Sequence, residues 1–401
     1  MSTTETHEER HASWLELFFD LVAVAGIGML AHLLEVDDSD SGLAVYVIAF
    51  TAIWMIWACF TTYSNLNADT TFVAVILVGM SALGVMIAAV PEIRGEHATA
   101  FAVAYVVGRF VVARPWRRAT VVVDLPIIQT SFGVVPWIVS WWFEGTAQYT
   151  LWAVGLALDL LMLLTTNRDR LLADTQARLD RMLEARSGRP HNPRHDRDHG
   201  DREIPTTIEA AETDVPHLTE RLGLFVLIVI GEGLVQIIDG ASEAEWNRAL
   251  AVTGAGAFAL MFGFWAAAVR WGYAGIALLP EQGLSPRLSW PAHLVATLAL
   301  ATVAAVLGGV VAAPSEQMSD HVRLLVVAAY VGYAVLSAGI HLARTAYVVA
   351  ACVGVPMLVA GALVALLPDL DDQRAVWLLA AGIFGVLVAH DRTSRRDVAP
   401  A

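Results

Sequence analysis

Leu15-Glu-Leu-Phe-Phe-Asp-Leu-Val22 opens an apolar run long enough to cross a bilayer as a helix. Glu16 and Asp20 stand four residues apart in it, so on a helix they share one face, a turn from each other. An acidic pair at the mouth of a membrane helix is costly unless it faces a partner or water. What that pair faces is the first question the chain poses.

The rest of the 401 residues repeats the pattern: 57% are hydrophobic, only 16% are charged, and the apolar residues come in long blocks broken by short polar punctuation. That describes an all-α polytopic membrane protein with the lipid bilayer as its main partner. The ten-residue alternation of a membrane barrel is absent. All 25 positions counted as Lys or Arg are Arg, and the net charge of −14 argues against a nucleic-acid partner. Cys59 and Cys352 both lie inside apolar runs without metal-type spacing, so neither a metal nor a cofactor is expected. Residues 1–13 carry no positively charged leader region, and the first apolar run is expected to stay in the protein.

About twelve crossings satisfy the length requirement. In the first half they are expected near 15–35, 43–66, 71–90, 98–113, 120–143 and 147–166, and in the second near 217–240, 249–271, 289–313, 320–342, 345–367 and 373–391. The fifth carries Asp124, Pro126, Gln129 and Pro136, which predicts a kinked or broken helix. The chain divides into a tail (1–14), a first six-helix half (15–166), a hydrophilic linker (167–216), a second half (217–391) and a tail (392–401). Arg168 to Glu184 is expected to extend the sixth helix into water. Ser187 to Asp201 is expected to be disordered, with His191, His195 and His199 in a solvated linker rather than a metal site.

Arginine placement sets an orientation. With the N-terminus in the cytoplasm, the inner segments hold Arg10, Arg114, Arg117, Arg118, nine Arg between 168 and 202, Arg287, Arg344, Arg392, Arg395 and Arg396. The outer loops hold Arg94, Arg248, Arg323 and Arg374 and are otherwise acidic, as at Asp37-Asp38 and Asp369 to Asp372. Both termini are therefore expected in the cytoplasm, with the chain in the inner membrane. A shift of 204 residues places Glu16 on Glu220 and His32 on Gln236, which suggests two halves in a parallel repeat.

Glu232 is the deepest acid, about 18 Å of helix beyond Glu220. A carboxylate there is protonated, paired with a cation or open to a cavity. It reads either as a proton or cation site or as a structural clip between helices. The other intramembrane ionisable groups crowd the inner third: Glu16, Asp20, Arg109, Asp124, Asp159, Glu220, Arg221, Arg270, His293, His341 and Arg344. Arg109 and Arg221 are available to neutralise Asp20, Asp124 or Asp159. Snorkelling accounts for Arg270 and Arg344; the short acids need interior partners. Trp54, Trp57, Trp137, Trp141 and Trp142 fit interfacial belts or packing, and Gly26, Gly28, Gly308 and Gly309 fit close helix approach.

Trp14-Leu-Glu-Leu-Phe-Phe-Asp-Leu-Val22, followed two hundred residues on by His217-x-x-Glu-Arg-x-Gly-Leu-Phe-x-x-x-x-x-Gly-Glu232, resembles the bacterial low temperature requirement protein A family. Trp290-Pro-Ala-His293-Leu resembles a further element of it. The resemblance covers nearly the whole chain and points to Glu16, Asp20, His217, Glu220, Arg221, Glu232 and His293. After Val22 the residues Ala-Val-Ala-Gly-Ile-Gly are smaller than the family's usual bulky run. The resemblance implies a multi-pass bacterial membrane protein and no specific biochemical activity. An endolysosomal two-repeat potassium-channel family shares the architecture, but its Arg-x-x-x-Phe-Ser-Asp element is matched only at Phe18 and Asp20.

Two enzyme signatures are missing: there is no Gly-x-Ser-x-Gly elbow and no phosphate loop. An intramembrane hydrolase would need a dyad such as Asp20 with Asp159, which no spacing demands. The expected function is a transporter or channel for protons, monovalent cations or small solutes. In it Glu232 is the central site, Glu16, Asp20, Glu220 and Arg221 form an inner gate, and Arg109, Asp124, Asp159 and His293 support them. The alternative is a non-transporting scaffold or stress sensor.

Overall fold

The computed structural model describes residues 12–36, 39–67, 71–114, 116, 119–129, 131–187, 206–281, 283–367 and 370–398. The His191, His195 and His199 tract, Asp37-Asp38 and Asp369 lie outside them. The helices are α1 (Trp14–Val36), α2 (Asp40–Asn67), α3 (Val73–Ala89), α4 (Ala98–Val112), α5 (Val134–Val139), α6 (Gly145–Thr165) and α7 (Arg168–Ser187), then α8 (Val215–Glu243), α9 (Arg248–Trp265), α10 (Pro286–Ala312), α11 (Asp320–Ala343), α12 (Tyr347–Leu366) and α13 (Asp372–Val398). Among the described residues, ten helices are long and apolar enough to cross a membrane, and α4 is a shorter apolar one. This is a polytopic all-α membrane protein. Helix starts follow local chemistry: the side chains of Asp214, Asn247 and Ser319 each accept a backbone N–H three residues on.

α2 and α10 form the centre, with 78% and 83% of their apolar windows buried inside the protein. They meet through Trp54, Trp57 and Trp290, all fully buried, and through a Tyr46–Thr302 hydrogen bond of 3.2 Å. The peripheral helices leave large apolar side chains exposed, including Leu77, Val85, Phe258 and Val355, which suits a hydrocarbon surround. Of the five tryptophans expected in belts or packing, Trp54, Trp57 and Trp137 pack internally, Trp141 is half-buried and Trp142 is exposed.

The segment 120–143 is not one helix. It forms a short strand β1 (Thr120–Val122), a 3-10 turn (Pro126–Ile128), α5 and a second 3-10 turn (Ser140–Trp142). The prolines start or interrupt these pieces, and non-helical backbone inside a membrane protein must find other partners. A buried ion pair supplies them. Arg109 of α4 binds Asp159 of α6 at 2.7 Å, and its second nitrogen donates to the Ile127 carbonyl at 2.7 Å. Asp159 accepts from the Ser131 hydroxyl (2.9 Å) and the Gly133 N–H (3.1 Å). α4 and α6 run in parallel, since Phe101 packs on Trp152 while Arg109 reaches Asp159. The pieces between them return antiparallel to α6: Gly133 lies at Asp159, and Trp137 stacks on Trp152, whose indole also donates to Ser140.

A second irregular stretch, 271–285, joins α9 to α10 through a π-helical turn (Ala266–Arg270). Three residues on one face of α11 hold it: Tyr333 donates to the Gly275 carbonyl, Ser337 accepts the Ala277 N–H, and His341 binds the Ala277 carbonyl.

α7 does not extend α6. The chain breaks at Thr166–Asn167, where the Asn167 side chain accepts the N–H groups of Asp169 and Arg170 and starts a new helix. The returning linker is stitched back: Gln176 binds Thr206 and Ile208, and β2 (Glu209–Ala211) pairs in parallel with β1. This end of the molecule is called the linker end below.

Gly133 and Gly155 permit the broken segment to sit against α6. A methyl group at Gly133 would strike the Gly155 carbonyl and the Asp159 carboxylate, whereas one at Gly84 would meet nothing within 4 Å. Gly133→Ala is expected to destabilise the protein by about 1–3 kcal/mol and Gly84→Ala to leave it unchanged, as read by unfolding in detergent micelles.

Candidate functional site

The acidic pair that opens the chain is built from a helix start. Ser13 precedes α1, and its hydroxyl accepts the Glu16 N–H at 3.3 Å. Glu16 Oε2 accepts the Ser13 N–H and O–H, each at 2.8 Å. This reciprocal capping box uses the Ser-x-x-Glu pattern, which was present in the sequence as a helix-start signal. One turn on, Asp20 is fully buried. Its Oδ1 accepts from Arg221 Nη2 at 2.6 Å and from the Trp57 indole at 2.7 Å, tying α1 to α8 and α2. Arg221 Nη1 lies 3.8 Å and His217 Nε2 3.4 Å from Glu16 Oε1.

Asn65 determines how His217 enters this cluster. Its amide oxygen accepts the Asp214 N–H (2.9 Å) and its amide nitrogen donates to the Asp214 carbonyl (3.0 Å). Reversing the amide would oppose like groups at both contacts, so the NH2 is also the group facing His217 Nδ1 at 3.0 Å. Nδ1 therefore accepts, and the ring proton sits on Nε2, toward Glu16. His293 is assigned in the same way. The Trp54 indole can only donate, to Nδ1 at 3.0 Å, so Nε2 donates to the Leu222 carbonyl at 3.2 Å. His293 stacks on Trp57 (5.3 Å between centroids) and acts as a neutral strut behind Asp20 rather than a member of the acid cluster.

The remaining candidates separate. Arg109 serves Asp159 within the first half, and Arg221 serves Asp20. Asp124 joins neither pair; its carboxylate accepts the Thr213 N–H at 3.0 Å and anchors the end of the linker. Glu220 is half-buried at the mouth and accepts the Ala12 N–H at 3.0 Å. Asp20 and Asp159 bind different groups on different helices and form no dyad.

Glu232 lies about 16 Å along α8 from Arg221 and faces a cavity of about 640 Å³ between α1, α8 and α10. Its walls include His32, Gln236, Asp239 and Glu243. Gln236 donates to Glu232 at 3.0 Å. Gly28 makes room for the carboxylate, since a side chain there would collide with it. Gly240 and Gly308 bring the backbones of α8 and α10 into contact, which matches the close-approach reading of Gly308; Gly309 instead borders open space.

The exposed polar residues of its walls, His32, Asp239, Ser242 and Glu243, lie on the side of Glu232 away from the linker end. Glu16, Asp20, Glu220 and Arg221, expected as an inner gate, lie toward the other end of α8 from this cavity. Between Arg221 and Glu232, α8 carries no polar side chain, and Leu222, Phe225, Val226 and Val229 are buried. Phe225 packs on Trp57 at 4.1 Å and on His293 at 5.3 Å. Bulky aromatics fill this interface toward the linker end, while Gly28, Gly240, Gly308, Gly309 and Ala312 line the cavity toward the other. Among the described residues, no three His, Cys, Asp or Glu side chains are grouped to hold a metal ion.

The model of the bacterial low temperature requirement A protein (LtrA) family matches residues 11–389. The chain belongs to this family. An uncharacterized protein of Rhizobium meliloti (strain 1021) is 28% identical over 248 residues, covering 58% of this chain and 52% of that relative. The match thus spans about half the length of the curated relative. No solved structure matches the chain significantly.

All the cavity and cluster residues named above lie inside the LtrA match. Several of them carried little local signal. Trp57 fits a belt or packing residue in the sequence, and Asn65, Asp239 and Glu243 carry no local motif, because their partners are far away in sequence or in space. In this LtrA chain the Asp20–Arg221 pair joins the two halves, and removing one partner leaves the other charge buried alone. Asp20→Ala and Arg221→Ala are each expected to cost about 3–5 kcal/mol, while Asp20→Leu with Arg221→Met recovers most of the loss. Simple additivity of the two losses in micelle unfolding would contradict this coupling.

Proposed function

We propose that this LtrA-family chain is a transporter or channel of the bacterial inner membrane for protons, cations or small solutes. The observation that carries the reading is the acidic cavity ending at Glu232, closed toward the linker end by apolar packing and the Asp20–Arg221 joint. Glu232 is bound by Gln236 of its own helix, and among the described residues no basic side chain forms an ion pair with it. A carboxylate at that depth facing a cavity is suited to receive a proton or a cationic group.

The proposed topology is twelve crossings in two six-crossing halves related by a parallel repeat, with both termini in the cytoplasm. The parallel course of α4 and α6 supports the count, because the broken segment between them then makes a crossing. Neighbour relations support the repeat: α1 packs on α3 as α8 packs on α10, and α2 meets α6 as α9 meets α13. Gly28 and Glu232, equivalent under the 204-residue shift, touch each other across the α1–α8 interface. The arginine-rich linker end is then the cytoplasmic one, and the cavity faces outward. Access from the cytoplasm requires the linker ends of α1 and α8 to part, with Arg221 leaving Asp20.

The test is flux in liposomes reconstituted with the full chain. The wild type is expected to carry a proton or monovalent-cation current that Glu232→Gln lowers by about tenfold or more, with unchanged thermal unfolding. Equal flux in both would remove Glu232 from the mechanism. A folded wild type with no flux would favour the non-transporting scaffold or sensor.

A further inference from the structure

A second cavity, of about 250 Å³, adjoins the first at the same end of the molecule. Its walls are mainly apolar, with Leu34, Val306, Val310 and Leu325 among them, and include exposed Glu316 and buried Asp372, which accepts the Met318 N–H at 2.7 Å and lies 3.9 Å from Arg323. Gly309 lies on the wall of both cavities. A methyl group at Gly309 would meet nothing within 4 Å, while one at Gly308 would press on Gln236 at 3.2 Å. The two neighbouring glycines thus do different things: Gly308 lets α10 approach α8, and Gly309 stands on both cavity walls with open space beside it.

Joined at Gly309, the two cavities would form a chamber in two parts. One part is polar and carries three carboxylates, Glu232, Asp239 and Glu243, with His32; the other is apolar. No Arg lines either part. The polar part alone falls within the roughly 300–1,000 Å³ of small-molecule sites, far more than a bare ion needs, and no metal-type ligand group is present among the described residues. An anion entering it would meet unpaired like charge, which rejects it. A compact inorganic cation would leave the apolar part unused.

We infer that the chamber binds an organic cation with an apolar body. The positive head sits by Glu232, and the body passes Gly309 into the space walled by Val306, Val310 and Leu325. That this ligand is also carried across the membrane rests on the transport reading; the binding does not.

The experiment is ligand titration of the purified full chain in lipid nanodiscs, followed by calorimetry. Three probes are compared: benzyltriethylammonium, tetramethylammonium and benzenesulfonate. Benzyltriethylammonium is expected to bind about tenfold or more tightly than tetramethylammonium, and benzenesulfonate not at all. Glu232→Gln should weaken the aromatic cation about tenfold. Gly309→Leu, whose Cβ would meet nothing within 4 Å, should weaken the aromatic cation several-fold more than it weakens tetramethylammonium. Binding of benzenesulfonate as tight as that of the aromatic cation would overturn the inference, as would indifference to both substitutions. Ion flux without aromatic-cation binding would overturn it and leave the transport reading standing; binding without flux would do the reverse.

Discussion

Asp20 and Arg221 meet at 2.6 Å, fully buried, on helices from opposite halves of the chain. Each charge is tolerable there only because of the other. Much of the surrounding architecture follows from keeping them together. Trp57 gives Asp20 its second donor, His293 and Phe225 pack against Trp57, and Asn65 orients His217 toward Glu16. The capping box sets the start of α1, so that Asp20 arrives one turn inside. The Arg109–Asp159 pair applies the same chemistry within one half, with a different result. There both carboxylate oxygens and both terminal guanidinium nitrogens are engaged, two of the contacts being backbone groups of the broken segment. At the joint between halves, Asp20 Oδ2 and Arg221 Nε have no hydrogen-bond partner among the described residues. The internal pair is built as a fixed brace, and the one between halves is the less completely bonded.

Much of this was legible in the residues. Apolar blocks located every long helix to within a few positions, because hydrocarbon length and backbone satisfaction leave few alternatives. Pro126 and Pro136 announced that 120–143 would break. They did not announce a strand pairing with residues 209–211, which depends on where the linker returns. Depth alone put Arg221 beside the first acids, but it allotted Arg109 and Asp124 poorly, since depth does not tell which helices are neighbours. In the sequence Glu16 counts as one of four gate residues, and its Ser-x-x-Glu cap goes unused. The sense of the cavity was hidden for a related reason. It is set by which glycines face contact and which face space, as at Gly308 and Gly309, and adjacent identical residues give no local clue to that.

Membership of the LtrA family and the polytopic fold narrow the function without naming it. The physical case for transport lies in an asymmetry along α8. At one end Arg221 is locked to Asp20 under a layer of aromatic and aliphatic packing. At the other, Glu232 lies on a cavity shared with Gln236, Asp239 and Glu243. A protein that used its acids only as helix clips would have no reason to leave about 640 Å³ open around the deepest of them.

The central claim is that this cavity opens to the outside and ends at Glu232. Cysteine accessibility tests it most directly, on a background with Cys59→Ala and Cys352→Ala. Gln236→Cys on the cavity wall and Val229→Cys beneath Glu232 are each exposed in intact cells to a membrane-impermeant maleimide. The account expects rapid labelling at 236 from outside, and none at 229 from either face. Labelling at 236 only from the cytoplasmic side, or equal labelling at both positions, would contradict it.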